Sequence, residues 1–232
     1  MRTRDKVVIG SVNAGLVNSN LVVDLLQIMK RRPERFHAYV QVENSTLVTR
    51  SRNKLVKAFL EETDAAWLLM IDVDQRLPLE VFDKLVDTAH DKERPIVSGL
   101  VFAKFGDDYN IRPVPTIYRW QDNGFSTIDD YPLDTVITVD AAGTGCLLMH
   151  RDVLELMRKE ATAHQGPDWA WFVDGPIAGQ WLGEDLLFSK RLASLNIPMH
   201  AHTGAICAHY KQFWLDDRHH TPIREAAISK QD

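Results

Sequence analysis

The stretch Trp67-Leu68-Leu69-Met70-Ile71-Asp72-Val73-Asp74-Gln75-Arg76 joins an apolar run directly to two carboxylates that are separated by one residue. A short apolar run that ends this sharply is typical of a strand buried on both faces of a parallel sheet. Open α/β sheets hold their ligands at the carboxyl ends of their strands, which is where Asp72 and Asp74 would lie. A hard divalent cation relieves the repulsion between neighbouring carboxylates, and Mg²⁺ or Mn²⁺ also accepts phosphate oxygens. The stretch therefore predicts a cation site that anchors a diphosphate.

The composition indicates an ordinary soluble globular protein. The 232 residues are 45% hydrophobic and 25% charged, which allows one large α/β domain with a sizeable core. No run of about 18 apolar residues occurs, so we expect no membrane span. The two cysteines, Cys146 and Cys207, lie in apolar surroundings, which favours buried free thiols and a cytoplasmic location. The formal charge of −5 gives no overall attraction to nucleic acid and leaves a local basic surface open.

The first hundred residues alternate between strand-like and helix-like apolar patterns. Strands and helices in strict alternation predict a doubly wound sheet that is mostly parallel and carries helices on both faces. The predicted strands cover residues 6–11, 36–42, 67–74 and 95–102, and the predicted helices cover residues 21–29 and 49–62 and a third segment that starts near Pro78.

The second half has shorter and more irregular elements. Residues 103–135 have the composition of a long loop with short strands, and loops of that length are usually functional or disordered. Asp152 is the predicted N-cap of a helix that reaches residue 159. Neither an internal repeat nor a linker composition is present, so we expect a single domain. Further predicted strands cover 136–140, 145–150, 199–202 and 206–209, a predicted helix covers 184–195, and a loop rich in Trp and Gly covers 164–181.

A lone Asp-x-Asp motif is weak evidence for a metal site. About one match is expected by chance in a chain of this length, and aspartate side chains also commonly stabilise turns. Phosphatases of the haloacid-dehalogenase type carry Asp-x-Asp after a buried strand as well. Those enzymes have the motif near the start of the chain with Thr or Val two residues further on, whereas Arg76 stands there in this sequence. The position after the third buried strand favours metal binding.

Two further segments contain candidate chemical groups. His209 ends an apolar run, where a histidine bonded to a backbone carbonyl is the plain alternative to a ligand role. Glu184 and Asp185 start a predicted helix, where acids interact favourably with the helix N-terminus. A carboxylate there could also act as a general base, because the preceding loop carries aromatic side chains that can stack on sugars or bases. Those side chains are Trp169, Trp171 and Trp181.

Taken together, five blocks of the sequence resemble GT-A glycosyltransferases of the family 2-like kind. Their order and spacing over about residues 6–210 are similar to those of small stand-alone glycosyltransferases often encoded in bacteriophage genomes. The blocks are Leu47-Val-Thr-Arg-Ser-Arg52-Asn53-Lys-Leu-Val, Trp67-Leu-Leu-Met-Ile-Asp72-Val-Asp74, Ala142-Gly143-Thr-Gly145-Cys-Leu-Leu-Met-His-Arg151, Gly183-Glu184-Asp185-Leu-Leu-Phe-Ser and Ala208-His209.

The resemblance implies a Rossmann-like GT-A fold with a smaller mixed C-terminal part. One domain would cover residues 1–215, with a donor-binding half at 1–102 and an acceptor and catalytic half at 103–215. A polar tail would follow at 216–232.

The resemblance also implies roles for individual residues. Asp72 and Asp74 would hold the donor diphosphate through Mn²⁺ or Mg²⁺, with His209 as a later ligand of the same ion. Asp185 matches the catalytic base of inverting members, and Glu184 would support it. The residues expected to bind the donor nucleotide sugar are Ser11, Asn13, Glu43, Arg52, Asp72, Gly143 and Gly145. The residues expected to contact the acceptor are Trp171 and Trp181.

The activity implied by the resemblance is transfer of a hexose or pentose from a nucleotide diphosphate sugar, with UDP-sugars favoured, to an acceptor hydroxyl. The acceptor could be a hydroxymethylated base in phage DNA, with the enzyme in the host cytoplasm, or else a virion protein or surface glycan. Two other classes stay open. One is a phosphatase of the haloacid-dehalogenase type, and the other is a non-catalytic module that binds nucleotide sugars.

Overall fold

The computed structural model describes residues 6–13, 15–43, 47–106, 110–164 and 166–212, with Asn13 and Glu43 described by their main chain alone. The predicted tail at 216–232 lies outside these ranges. None of the described helices is long and apolar enough to cross a membrane.

The helices are α1 (Ser19–Arg31), α2 (Val48–Glu62), α3 (Leu79–Thr88), α4 (Arg151–Ala163) and α5 (Glu184–Ser194). The strands are β1 (Val7–Asn13), β2 (Phe36–Glu43), β3 (Trp67–Ile71), β4 (Ile96–Phe105), β5 (Arg112–Pro115), β6 (Ile117–Gln121), β7 (Gly124–Thr127), β8 (Val136–Val139), β9 (Ala141–Ala142), β10 (Cys146–His150), β11 (Gly175–Ile177), β12 (Gln180–Leu182) and β13 (Met199–Cys207).

The central sheet has eight strands within the described residues. Their order is β2-β1-β3-β10-β4-β13-β8, and β5 is added to β4. Strand β1 pairs in parallel with β2 and β3, and β4 pairs in parallel with β13. Strand β10 runs antiparallel between β3 and β4, and β8 and β5 are antiparallel as well. The predicted α/β fold class is confirmed, and the antiparallel strands give the sheet its mixed character.

Helices cover both faces of this sheet, which explains why β3 is apolar on both sides. On one face α2, α4 and α5 pack into a core that contains Phe59, Leu154 and Phe188. On the other face α1 and α3 contribute Leu25 and Phe82 to a second core. The same strands supply side chains to both cores, so the carboxyl edge of the sheet is held between two packed layers.

Arg151 fixes the position of α2. Its guanidinium donates hydrogen bonds to the main-chain oxygens of Phe59, Leu60, Thr63 and Ala65 at 2.8–3.1 Å. The last turn of a helix leaves main-chain oxygens without partners inside the helix. At the end of α2, the Arg151 side chain supplies hydrogen bonds to such oxygens. The opposite end of α2, which points to the carboxyl edge of the sheet, is positioned as a consequence.

The structure corrects three local predictions. The two strands predicted at 199–202 and 206–209 are one strand, β13, whose pairing register with β4 shifts in its middle. The N-cap of α4 is His150, whose side chain accepts a hydrogen bond from the main-chain nitrogen of Asp152 at 3.3 Å, so Asp152 is not the cap. The predicted loop at 164–181 contains the short hairpin of β11 and β12.

The two cysteines follow the prediction. Cys146 and Cys207 are free and buried in the described part of the chain. A hydrogen bond between the two thiols, together with burial, raises the pKa of the Cys207 thiol well above its usual value. The Cys207 thiol therefore stays neutral, and both buried cysteines act as small apolar side chains of the sheet.

Candidate active site

The turn that follows β3 lies at the carboxyl edge of the sheet, between two segments from the second half of the chain. The main-chain nitrogen of Asp72 donates to the oxygen of Gly145 at 2.9 Å, which joins the turn to the start of β10. The main-chain nitrogen of Tyr210 donates to the oxygen of Asp74 at 2.7 Å, which joins the turn to the segment after β13. The main chain of Asp72 and Asp74 is therefore fixed from both sides.

Arg52 connects two of the predicted site acids. Its side chain is 7% exposed and projects from α2 toward the turn. The guanidinium donates to a carboxylate oxygen of Glu184 through Nη1 and to Oδ1 of Asp72, at 3.3 Å, through Nη2. Its Nε has no hydrogen-bond partner among the described residues. Because a buried charge requires partners, Arg52 holds the end of β3 and the start of α5 around one cationic centre.

Asp74 forms a second cluster with two residues of the last described segment. Its Oδ2 lies 3.0 Å from Nε2 of His209 and 3.0 Å from Nζ of Lys211, while Nδ1 of His209 lies 2.8 Å from the oxygen of Phe102. Burial raises the pKa of Asp74, but the hydrogen bonds from His209 and Lys211 outweigh it and bring that pKa to about 2. The hydrogen bond to Asp74 raises the pKa of His209. The carboxylate is therefore ionised at neutral pH.

The three predicted metal ligands form a pair and not a group of three. Asp74 contacts His209, whereas Asp72 is directed to Arg52. Among the described residues, no group of three or more His, Cys, Asp or Glu side chains is arranged to hold a metal ion. A carboxylate with an imidazole is a suitable donor set for Mn²⁺, and such an ion completes its shell with phosphate oxygens and water. The pair fits a cation shared with a bound diphosphate better than a cation held by the protein alone.

The segment that contains Gly143 and Gly145 lies directly against the Asp-x-Asp turn. A Cβ at position 145 would lie 2.2 Å from Nε2 of Gln75 and 3.2 Å from Oδ2 of Asp72, so Gly145 leaves room that those side chains use. A Cβ at position 143 would lie 3.0 Å from the side chain of Thr116. Gln75 is 1% exposed, and neither polar atom of its side chain has a partner among the described residues. The sequence reasoning did not identify Gln75, although its place directly after Asp74 was a signal.

Asp185, the predicted base, lies in the first turn of α5, where its Oδ1 accepts from the main-chain nitrogen of Leu186 at 2.7 Å. Burial raises the pKa of Asp185, and the hydrogen bond from Leu186 and the charge of Arg52 offset only part of that rise. Burial also raises the pKa of the Tyr118 hydroxyl, to which the charge of Asp185 contributes. Tyr118 of β6 is therefore a neighbour of the candidate base that the sequence did not reveal.

The predicted nucleoside contacts have different outcomes. Ser11 is fully buried and its Oγ lies 2.5 Å from the hydroxyl oxygen of Tyr39, so it presents no surface to a ligand in this arrangement. The main chain of Asn13 pairs in register with that of Glu43 at the carboxyl ends of β1 and β2. Asn13 and Glu43 therefore share the edge of the sheet that carries the Asp-x-Asp turn.

The predicted acceptor tryptophans lie in different environments. Trp171 is 1% exposed, and its Nε1 donates to the main-chain oxygen of Leu154 at 2.8 Å, so it is a core residue and cannot stack on an acceptor. The prediction for Trp171 is therefore wrong, because its polar atom found a partner inside the core. Trp181 is 74% exposed and Trp169 is 50% exposed. The exposed indoles, and not the buried one, are available to a ligand.

A cleft of about 770 Å³ opens between α2 and the loop that carries these tryptophans. The amide of Asn53 holds the loop in place, since its Nδ2 donates to the oxygen of Phe172 at 2.7 Å and its Oδ1 accepts from the nitrogen of Phe172 at 2.8 Å. Arg191 adds two hydrogen bonds at 2.6 Å to the main-chain oxygens of Ala170 and Trp171. The sequence shows that this loop contains tryptophans, but it did not predict that they would face α2 across a cleft.

Comparison with solved structures defines the class of the fold. The crystal structure of A197 from STIV matches with a TM-score of 0.58 and 19% identity over 89% of this chain and 86% of that chain. The crystal structure of GalNAc-T7 with UDP, GalNAc and Mn²⁺ matches with a TM-score of 0.59 and 11% identity over 90% of this chain. This chain spans 44% of the GalNAc-T7 chain. At these identities the similarity shows the fold alone.

The protein therefore has a GT-A-like fold, with a mixed central sheet and helices on both faces. No protein-family model and no curated protein matches the sequence. The site residues of this chain must carry any argument about activity.

Proposed function

We propose that this protein is a glycosyltransferase that moves a sugar from a nucleotide diphosphate sugar to a hydroxyl group of an acceptor. The observation that carries the proposal is the convergence of Arg52, Asp72 and Glu184 beside Asp185 at the carboxyl edge of a GT-A-like sheet. A buried cation can stabilise an anionic leaving group, and a neighbouring carboxylate can accept a proton. Both functions are needed when a hydroxyl displaces a diphosphate from a sugar.

Asp185 is the proposed general base. Burial raises its pKa, so the ionised carboxylate of Asp185 is a stronger base than that of an ordinary exposed aspartate. The acceptor oxygen would bond to the anomeric carbon, the bond from that carbon to the diphosphate would break, and the acceptor proton would pass to Asp185. A single displacement of this kind inverts the anomeric configuration, so we propose an inverting hexosyl- or pentosyltransferase.

Arg52 is proposed to approach the donor diphosphate, with Asp74 and His209 as the protein ligands of Mn²⁺ or Mg²⁺. Such an ion, when bound, neutralises the negative charge of a departing diphosphate. The matched GalNAc-T7 crystal structure contains UDP and Mn²⁺, which supports a UDP-sugar and Mn²⁺ as the first candidates for this chain. Asn13 and Glu43, at the same edge of the sheet, are proposed to contact the nucleoside.

The acceptor is proposed from the resemblance of the sequence blocks to small bacteriophage glycosyltransferases. In the first proposal it is a hydroxymethylated base in phage DNA. The second proposal is a hydroxyl group of a virion protein or a surface glycan. Both acceptors would approach the first turn of α5, because Asp185 lies there.

The experiment that tests the activity is a thermal-shift panel of UDP-, GDP- and dTDP-sugars with and without Mn²⁺, followed by mass analysis of the products formed with each acceptor class. We expect one UDP-sugar to raise the unfolding temperature in the presence of Mn²⁺. With the correct acceptor, the mass of the product should equal that of the acceptor with the sugar attached. Phosphate release from simple phosphoesters without nucleotide-sugar binding would instead indicate a phosphatase. Nucleotide-sugar binding with neither hydrolysis nor transfer would indicate a non-catalytic module.

A further inference from the structure

The cleft between α2 and the Trp-rich loop has two chemically different walls. Its volume of about 770 Å³ lies in the range of about 300–1,000 Å³ that is typical of ligand sites. One wall belongs to α2 and is basic, and the other belongs to the loop and the β11–β12 hairpin and is aromatic. The basic wall consists of Arg50, Lys54 and Lys57, and the aromatic wall includes Trp169, Phe172 and Trp181.

The basic wall is a row of cations on one face of a helix. Arg50, Lys54 and Lys57 are four and three residues apart, which places them on one side of α2 over about 10 Å at 1.5 Å per residue. Each strand of a B-form duplex carries one phosphate per about 3.4 Å, so the row can lie beside at most about three phosphates of one strand. Lys57 has a loose ion pair with Glu61 at 4.0 Å, and within the described residues neither Arg50 nor Lys54 has an ion pair.

The position of Arg50 argues that helix stability is not the reason for this row. Arg50 lies in the first turn of α2, a turn that contains no acidic residue. Cations at the N-terminal end of a helix oppose the helix dipole and cost stability. The Arg50 charge is therefore unfavourable for the helix itself, and an anion bound in the cleft would offset that cost.

The aromatic wall offers faces to flat rings. Trp181 is 74% exposed and Trp169 is 50% exposed, although each exposed indole loses the free energy that burial would give. The Asn53 amide and the guanidinium of Arg191 hold the loop by four hydrogen bonds at 2.6–2.8 Å. The indoles are thus presented on a tethered loop, which limits the conformational entropy that a stacked ligand must remove.

The cleft lies near the proposed catalytic base, which is not itself one of its lining residues. Asp174 lines the cleft, and its charge also acts on the carboxylate of Asp185. Asn53 lines the cleft, while its neighbour Arg52 contacts Glu184. A polymer in the cleft would therefore pass close to the first turn of α5.

We infer that this cleft binds a single strand of nucleic acid as the acceptor of the transferase, an inference that rests on the proposed function. Bases stack on Trp181 and Trp169, while Arg50, Lys54 and Lys57 follow the phosphates, which is the combination that single-strand binding sites use. A neutral glycan would use the indoles but not the row of cations. The base that enters the catalytic site carries the hydroxyl that faces Asp185.

The test is fluorescence anisotropy of a labelled oligothymidine of about twelve nucleotides with the full chain, without donor or metal, at about 50 to 200 mM salt. We expect the logarithm of the affinity to fall linearly with the logarithm of the salt concentration. The Lys54→Gln and Lys57→Gln changes should each reduce that slope by about 0.7. The Trp181→Leu change should weaken binding by about 5- to 100-fold. Lys30→Gln and Lys92→Gln remove the same charge from exposed positions outside the cleft and should change neither value.

Three results would overturn the inference. They are binding that is unaffected by the cleft variants, equal affinity for the matching duplex, and binding of a neutral oligosaccharide in place of the oligothymidine. Because the assay contains no donor, a failure of sugar transfer leaves its result unchanged. Nucleotide-sugar binding, measured separately, tests the proposed function, so the two failures are distinguishable.

Discussion

Nε2 of His209 lies 3.0 Å from Oδ2 of Asp74, although 135 positions separate the two residues in the chain. The contact forms because β13 runs parallel to β4, so the segment after β13 emerges at the same edge as the turn after β3. A bridge between the main chains of Gln75 and His209 closes this junction. The Asp-x-Asp turn and the last described segment are thus parts of one site.

Replacing Asp74 by Asn should remove donor binding that depends on the divalent ion. The amide keeps the shape of the side chain but loses the charge that both the ion and His209 require, so we expect turnover to fall by about 100-fold or more. Initial rates over a Mn²⁺ titration measure this effect. Asp152→Asn is the matched control, since Asp152 is 85% exposed and lies away from the turn. Unchanged metal dependence in the Asp74→Asn variant would refute the assignment.

Replacing Asp185 by Asn should lower the rate of transfer by about 100- to 10,000-fold, because the amide cannot accept the acceptor proton. Donor hydrolysis and transfer should both be followed, by mass analysis of nucleotide and product. In the wild-type protein, the rate should fall with decreasing pH, and the fall should begin at a higher pH than an ordinary aspartate would give, because the pKa of Asp185 is raised. A variant with full activity would remove Asp185 as the base.

The same substitution should affect stability in the opposite direction. The folded state binds a proton at Asp185 more tightly than the unfolded state, so the free energy of unfolding falls as pH rises between the unfolded and the folded pKa. Above that window the wild-type protein retains the full cost of the ionised carboxylate, and the Asp185→Asn variant does not. We expect the variant to gain stability relative to wild type as pH rises above about 4, as measured by denaturant unfolding at several pH values up to neutrality. A constant difference across that range would contradict the raised pKa.

Replacing Gly145 by Ala should destabilise the Asp-x-Asp turn. The new Cβ would lie 2.2 Å from Nε2 of the buried Gln75, so the Gln75 side chain must move, at a cost of about 1–3 kcal/mol. The double variant Gly145→Ala with Gln75→Ala should recover part of this loss, because the obstructing amide is absent. Gly175→Ala is the control, since its Cβ would meet Leu187 at an ordinary 3.4 Å. Denaturant unfolding of wild type, Gly145→Ala, Gln75→Ala and the double variant measures the coupling, and Gly175→Ala is measured beside them.

Replacing Asn53 by Ala should free the Trp-rich loop from α2. Two buried hydrogen bonds to Phe172 would be lost and its main-chain groups left without partners, at a cost of about 2–4 kcal/mol. Asn53→Asp keeps the acceptor for the Phe172 nitrogen but buries a carboxylate against the Phe172 oxygen, so at neutral pH it should be less stable than the alanine variant. Thermal and denaturant unfolding test this order, and equal stabilities of the two variants would contradict it.

The local sequence pattern was sufficient to predict an element when the burial of that element follows the spacing of its own apolar residues. Trp67–Ile71 is apolar throughout, and it is a strand covered on both faces with Asp72 directly after it. Glu184 and Asp185 begin a helix, as acids at a helix start favour. Strand direction was not readable in the same way, because the apolar run of β10 is the same for either direction, and only its partners make it antiparallel.

The sequence by itself determined the alternation of strands and helices, the carboxylates at the end of β3 and the acids at the start of α5, because each depends on residues within a few positions of one another. The tertiary structure decided which side chains meet. It buried Trp171 while exposing Trp181, and it joined Arg52 to Asp72 and Glu184. Contacts of this kind depend on which faces of distant elements pack together, and that information is spread over the whole chain.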